Sequence, residues 1–273
     1  MVDPNGIYYL GPLGSFSHEA ASVVANLIKA ELISEQSVSY IFKKISQSND
    51  KIGVVPIENS LEGPVNETLD NLFNYDNIYV IGELEKKIKL VLASKAENLD
   101  KIKKIYSHPH AFNEVKDKLE ALGFKDYIPV ESTSKAALLA SNDSNSASIC
   151  SPFAANLYNL NVLADSLSSD NNYTRFIVIS KEMRISGNKS MILFTVSHKP
   201  GALYRVLQVF YEYNINITMI YSRPLKSIPW QYYFYLEYEG SLGDSQFLNK
   251  LKEVTELIKI KGSYNKLNNY TRL

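Results

Sequence analysis

Hydrophobic and polar positions divide the chain into two stretches of different rhythm. From Ile7 to about Ser180, short apolar runs alternate with longer segments at helical spacing. Ile7–Leu10 reads as a strand, and Ala20–Lys29 as a helix with Ala20, Val24, Leu27 and Ile28 along one side. Ile52–Ile57 is another strand, and Val65, Leu69, Leu72 and Phe73 follow at helix spacing behind Pro64. A new strand pattern begins within Glu85–Ser94. Lys104–Ser107 is a strand leading into a helix over Ala111–Leu122, and Tyr127–Val130 and Ala147–Cys150 are short strands, each followed by a helical segment. The polar run Ser141–Ser148 predicts a surface loop, and Arg175–Ser180 returns to strand character. This succession predicts an α/β architecture with covered sheets.

The polar segment Lys181–Lys189, which contains Gly187, reads as a linker. Beyond it, Met191–Ser197 is a strand and Gly201–Tyr213 a helix whose packing face carries Leu203, Val206, Leu207 and Phe210. Ile215–Tyr221 and Trp230–Tyr238 are strands, Phe247–Val254 a helix and Leu257–Ile260 a last strand. Strand, helix, strand, strand, helix, strand is the order of a ferredoxin-like module. At roughly 80 residues, such a module favours pairing with a copy of itself.

Composition narrows the function classes. A chain of 273 residues with 45% apolar and 21% charged positions is long enough for two or three packed units. Lys plus Arg equals Asp plus Glu at 29 each, which weakens a nucleic-acid reading, and the aromatic run Tyr232–Tyr235 lacks a basic stripe. The single cysteine, Cys150, can form neither an intrachain disulfide nor a thiolate set for zinc. No run approaches the ~18 apolar residues that span a bilayer, and the start MVDPNGIYYL lacks a signal-peptide pattern. A soluble, cytoplasmic protein without a membrane partner is the expectation.

Candidate chemistry gathers at strand-to-helix junctions. Gly11-Pro12-Leu13-Gly14-Ser15-Phe16-Ser17-His18 makes a tight turn in which Ser15 or Ser17 can cap the following helix. The device recurs at Glu58–Val65, at Ser107-His108-Pro109 and at Glu131-Ser132-Thr133-Ser134. Free N–H groups and the positive dipole end of a helix attract carboxylates and phosphates. Each junction alone reads equally well as a structural turn; four facing one cleft would surround a small anion. Asn172-Tyr173-Thr174-Arg175-Phe176 supplies a hydroxyl donor and a guanidinium able to grip a carboxylate. The plainer alternative makes Thr174 a strand residue and Arg175 a surface ion pair. His108 and His110 flank Pro109 without zinc-site spacing, and no flavin, nicotinamide or pyridoxal motif is present.

In their order and spacing these segments resemble the monofunctional prephenate dehydratases that carry a C-terminal ACT regulatory domain. The resemblance rests on GPLGSFSHEA at 11–20, ENSLEGPVNETLD at 58–70, SHPHAF at 107–112 and STSKAA at 132–137. It continues through the Asn-x-Thr-Arg-Phe element at 172–176, HKPGALYRVLQVF at 198–210 and YSRPLKSIPWQYYFYLEYEG at 221–240. It implies a two-lobed, periplasmic-binding-protein-like α/β catalytic region over residues 1–183, with the second lobe at roughly 85–165, and a ferredoxin-like ACT domain over 184–273. The implied reaction converts prephenate to phenylpyruvate with loss of carbon dioxide and water, without cofactor or metal.

Thr174 corresponds to the family's essential threonine, which protonates or hydrogen-bonds the departing hydroxyl. Ser15, Asn59, Ser60 and Thr133 are implied around the substrate, with Arg175 binding carboxylate and Phe176 packing near the ring. Gly201, Ala202 and Leu203, with Ser222, Arg223 and Pro224, are implied to bind a phenylalanine effector at a domain or subunit interface of a homodimer or homotetramer. Two positions depart from the family pattern. Tyr221 stands where a glutamate commonly precedes Ser-Arg-Pro, and His110 where many relatives have glutamine. No helical chorismate mutase segment is expected, because Ile7 already belongs to the first strand. Arogenate dehydratase, a noncatalytic sensor of the same architecture and a structural oligomerisation protein are the alternatives.

Overall fold

The computed structural model describes residues 4–267; the outermost residues of both expected domains, 1–3 and 268–273, lie outside it. The chain first lays down β1 (Gly6–Leu10), α1 (Phe16–Ile28), β2 (Glu31–Glu35), α2 (Val38–Gln47), β3 (Lys51–Asn59), β4 (Gly63–Pro64), α3 (Asn66–Asn74) and β5 (Tyr79–Lys87). It continues through β6 (Val91–Ser94), β7 (Lys104–Ser107), α4 (Pro109–Ala121), β8 (Ile128–Pro129), α5 (Thr133–Ala140), β9 (Ser146–Cys150), α6 (Pro152–Leu157) and β10 (Asn161–Ala164). It returns as β11 (Tyr173–Ser180). The C-terminal module comprises β12 (Lys189–Thr195), α7 (Ala202–Glu212), β13 (Ile217–Pro224), β14 (Tyr232–Glu239), α8 (Ser245–Val254) and β15 (Leu257–Tyr264).

Three sheets result. The first has the order β2-β1-β3-β11-β5 with β4 alongside β3; the second is β10-β6-β9-β7-β8; the third is β13-β14-β12-β15. Strand β11 runs antiparallel to both β3 and β5, setting Thr174 opposite Asn59 on one side and Lys86 on the other. Because side chains alternate along a strand, β11 feeds two cores. Phe176 and Val178 join Ile7, Ala20 and Val24 beneath α1. Ile177 and Ile179 face the other way, onto Ile41, Leu69, Met191 and Tyr235 from α2, α3 and the third sheet. The first sheet is therefore covered on one side by its own helix and on the other partly by the C-terminal module.

Three departures from the sequence reading have physical causes. The expected surface loop Ser141–Ser148 ends early, because β9 begins at Ser146 and Ser146, Ala147 and Ser148 are buried. Small serines fit a crowded strand once their hydroxyls are satisfied: Ser146 Oγ donates to the Asp143 carbonyl and Ser148 Oγ to that of Ala93. The last strand runs on to Tyr264, past its lysines, because buried Lys261 donates to the carbonyls of Tyr75 at 2.6 Å and Ile78 at 3.3 Å. Finally, β2 and α2 form between the first helix and Ile52. Helix α2 is capped by Ser37 and buries Val38, Ile41, Phe42 and Ile45.

Candidate active site

Between the first two sheets lies a cavity of about 650 Å³. Its walls come from helix starts and strand ends: Phe16 of α1, Val65 before α3, His108 and His110 at the head of α4, Ser132 and Thr133 at the head of α5, Asn59 ending β3 and Thr174 opening β11. The junctions singled out by sequence thus converge. The turn before α1 is clamped across the cleft, since Ser134 and Tyr158 of the second lobe both donate to the Leu13 carbonyl. Gly14 holds a φ of +84° there, and a Cβ on it would lie 2.7 Å from Ser134 Oγ.

Asn59 organises the centre. Its Oδ1 accepts from the backbone N–H groups of Leu61 at 2.9 Å and Glu62 at 3.0 Å, which fixes the amide orientation. Its Nδ2 then donates to Asn172 Oδ1 at 2.8 Å, the Tyr173 carbonyl at 3.1 Å and Thr174 Oγ1 at 3.0 Å. With a lone pair of Thr174 so occupied, the hydroxyl proton is free to point into the cavity. Asn172 is itself held by Glu114 of α4, its Nδ2 donating to Oε2 at 2.9 Å, so a hydrogen-bonded chain links α4 to Thr174 across the lobes. A second tie crosses the mouth, where His110 Nδ1 meets Glu62 Oε1 at 3.0 Å. Burial, then the neighbouring His110, holds His108 below the usual histidine range. Burial likewise lowers His18, whose Nδ1 accepts from the Gly14 N–H at 3.0 Å as a neutral ring.

Of the residues expected around the substrate, Asn59, Thr133 and Thr174 line the cavity. The four others do not line it. Arg175 points to the opposite face of β11, where it donates to Glu58 at 3.0 Å, Glu83 at 2.9 Å and Glu237 at 2.8 and 3.0 Å. Alternation forces this: if Thr174 faces the cleft, its neighbour cannot. Phe176 shares the Thr174 face but is sealed beneath α1 at 1% exposure. Ser15 is consumed as the α1 cap, accepting from the His18 N–H and donating to the Leu10 carbonyl. Ser60 ties two loops, donating to the Asn171 carbonyl and accepting from the Tyr173 N–H. Sequence reasoning passed over Glu114 and Asn172 as site residues; the place of Asn172 two residues before Thr174, at the mouth of β11, was the available signal.

The charges behind β11 form a closed cluster. Burial would raise the Glu237 carboxyl, but the hydrogen bonds and charge of Arg175, then Lys189, outweigh it and hold the group below the usual range. Tyr221 joins through Glu58, donating to Oε1 at 3.3 Å. Arg223 makes a forked contact with Asp70 of α3, at 3.0 and 3.1 Å, which Lys226 and Tyr233 also reach. Gly201, at φ +79°, precedes α7; Ala202 and Leu203 line a cavity of about 380 Å³ with His198, whereas Pro224 lines a different one beside Asp70. Within one chain, the two expected effector segments therefore face different spaces.

A two-lobed α/β region that closes helix starts and a threonine hydroxyl around a cleft, joined to a ferredoxin-like module, defines a ligand-enclosing protein with an appended regulatory-type domain. The prephenate dehydratase family model matches residues 7–184 and the ACT domain model residues 190–256. The chain belongs to the prephenate dehydratase family. It is 38% identical over 267 residues to the bifunctional chorismate mutase/prephenate dehydratase of Aquifex aeolicus, covering 95% of this chain and 73% of that protein. It is 35% identical over 269 residues to the prephenate dehydratase of Methanocaldococcus jannaschii, covering 94% and 97%. The prephenate dehydratase of Arthrobacter aurescens, solved in complex with L-Phe, superposes with a TM-score of 0.87 at 28% identity, covering 98% of this chain and 92% of that one. No helix among the described residues is long and apolar enough to cross a membrane.

Proposed function

We propose that this chain converts prephenate to phenylpyruvate, with Thr174 as the catalytic residue. The observation that carries the reading is the Asn59–Thr174 contact at the cavity wall, which leaves the threonine proton available to a ligand. As the bond from the ring to its carboxylate breaks and carbon dioxide departs, the freed electron pair enters the ring. The C–O bond opposite breaks, and the departing hydroxyl gains a proton to leave as water. Aromatisation supplies the driving force, so the protein's task is to hold a conformer and to stabilise the leaving oxygen. Thr174 donates to that oxygen, Asn59 aims it, and the N–H groups opening α4 and α5 receive carboxylate charge with Thr133 beside them.

The same proposal divides the chain at residues 183/184 into catalytic and regulatory parts. The L-Phe complex of the Arthrobacter protein supports phenylalanine as the effector, and the cavity at the start of α7 is the space assigned to it, beside Gly201, Ala202 and Leu203. A homodimer or homotetramer and a cytoplasmic setting complete the reading. The test is turnover of prephenate to phenylpyruvate by the purified wild-type chain and by Thr174→Val, with arogenate run beside it. Loss of one such donor is expected to lower kcat on the order of 10²–10³-fold. Thr174→Ser should recover a large part. Equal loss in both variants would point to packing, and selective arogenate turnover would change the substrate.

A further inference from the structure

A dicarboxylate enters the proposed reaction, yet among the described residues lining the cleft none is lysine or arginine, while Glu62, Glu114 and Glu131 are carboxylates. With Arg175 turned to the other face of β11, a cation that joins those helix N–H groups on the substrate has to come from elsewhere. Phe16 belongs to the wall of the cleft and also to that of a neighbouring cavity of about 370 Å³, which is lined further by Glu19, Lys86 and Phe153. Lys86 stands directly opposite Thr174 in the β5–β11 register. Residues so paired project from the same face with Cβ atoms about 4.5–5.5 Å apart. A lysine carries its ammonium on roughly 5 Å of stem beyond Cβ, a reach equal to its separation from the Thr174 Cβ at the cleft wall. It now contacts Glu19 of α1 at 2.8 Å, both side chains being 25% exposed.

Resting on the dehydratase reading, we propose that Lys86 is a substrate-binding residue that leaves Glu19 to pair with the pyruvyl carboxylate of prephenate. The chemistry selects that carboxylate. A cation held on the ring carboxylate would stabilise the ground state of the very group that must depart as carbon dioxide, which slows the reaction. The pyruvyl carboxylate survives into the product and can be held throughout. Glu19 competes for the ammonium before substrate arrives, keeping it beside the cleft and out of it.

Steady-state kinetics on prephenate, with phenylpyruvate as product inhibitor, test this in the full chain. Lys86→Met is expected to raise KM and the phenylpyruvate inhibition constant together, roughly ten- to hundredfold, as fits the loss of one charge-assisted hydrogen bond, with kcat within a few-fold. Lys86→Arg should restore most of both, and Glu19→Gln, which removes the competitor, should lower KM. The proposal is overturned if Lys86→Met leaves KM within twofold of wild type. A matching rise in Glu19→Gln would also overturn it, reducing the pair to a structural tie. So would a rise in KM without a rise in the product constant, which would assign Lys86 to the ring carboxylate. Wild-type protein without turnover would remove the dehydratase reading instead; calorimetric binding of phenylpyruvate to wild type and Lys86→Met separates that failure from this one.

Discussion

Replacing Arg175 by methionine separates two roles that sequence alone leaves confused. The guanidinium donates to three carboxylates, of which Glu237 is fully buried and Glu83 is 6% exposed. Its removal leaves Lys189, at 2.8 Å from Glu83 and 3.4 Å from Glu237, as the cation shared by both. Breaking a buried ion pair by removing one partner costs about 3–5 kcal/mol, and the remaining lysine argues for the lower end. A loss of about 3 kcal/mol corresponds to a fall of about 5 °C in melting temperature for a chain of this size. Adding Glu237→Leu to Arg175→Met should regain at least about 1 kcal/mol, because the stranded carboxylate disappears. Thermal melts of the single and double variants, run beside KM for prephenate, give the answer. A single variant melting within 2 °C of wild type while KM rises tenfold or more, thresholds set well outside the expected shift, would refute the reasoning and return Arg175 to the substrate.

Two further outcomes follow from the contacts between the modules. Burial pushes the Asp70 carboxyl upward, but hydrogen bonds from Arg223, Lys226 and Tyr233 outweigh it, so its folded pKa lies below the ordinary aspartate value. A carboxylate depressed on folding contributes stability in full above its unfolded pKa and loses it as pH falls through the folded one. Asp70→Asn should therefore flatten the dependence of melting temperature on pH below that value; parallel acid limbs in a calorimetric series would count against it. Gly187→Ala should loosen the junction between β11 and β12, because a Cβ there would lie 2.3 Å from the Tyr264 backbone nitrogen. Limited proteolysis around residues 181–189 reads the outcome, and wild-type resistance in the variant would contradict it.

Much of the α/β rhythm was legible because burial follows the apolar pattern closely. Val54, Val55 and Ile57 vanish from solvent as a continuous run should in a doubly covered strand, and α1 buries Ala20, Ala21 and Val24 along one side. Convergence of the helix starts was legible only as a conditional statement, since local sequence does not fix how two lobes face each other. Arg175 shows the limit clearly. Its type suits a carboxylate in solution or in a protein, and its partners Glu83 and Glu237 lie 92 and 62 residues away. The alternation of β11 could have excluded it from the Thr174 face, whereas the identity of what it meets instead required the third sheet. Glu114 and Asn172 were obscured in the same way, 58 residues apart on different lobes. The buried serines of β9 were misjudged because composition reports polarity and not whether a hydroxyl has found an acceptor.

Strand β11 also dictates an order of assembly. It lies between β3 and β5, so the first sheet has a gap between those strands until residues 173–180 have been synthesised. The second sheet is contiguous in sequence, from Val91 to Ala164, and has all its strands by then. On a ribosome the inserted lobe can therefore close while the outer lobe is still waiting for its middle strand, exposing the edges of β3 and β5. Filling that gap sets Thr174 beside Asn59, so the long-range pairing that completes the order β3-β11-β5 is also the one that assembles the proposed reaction centre.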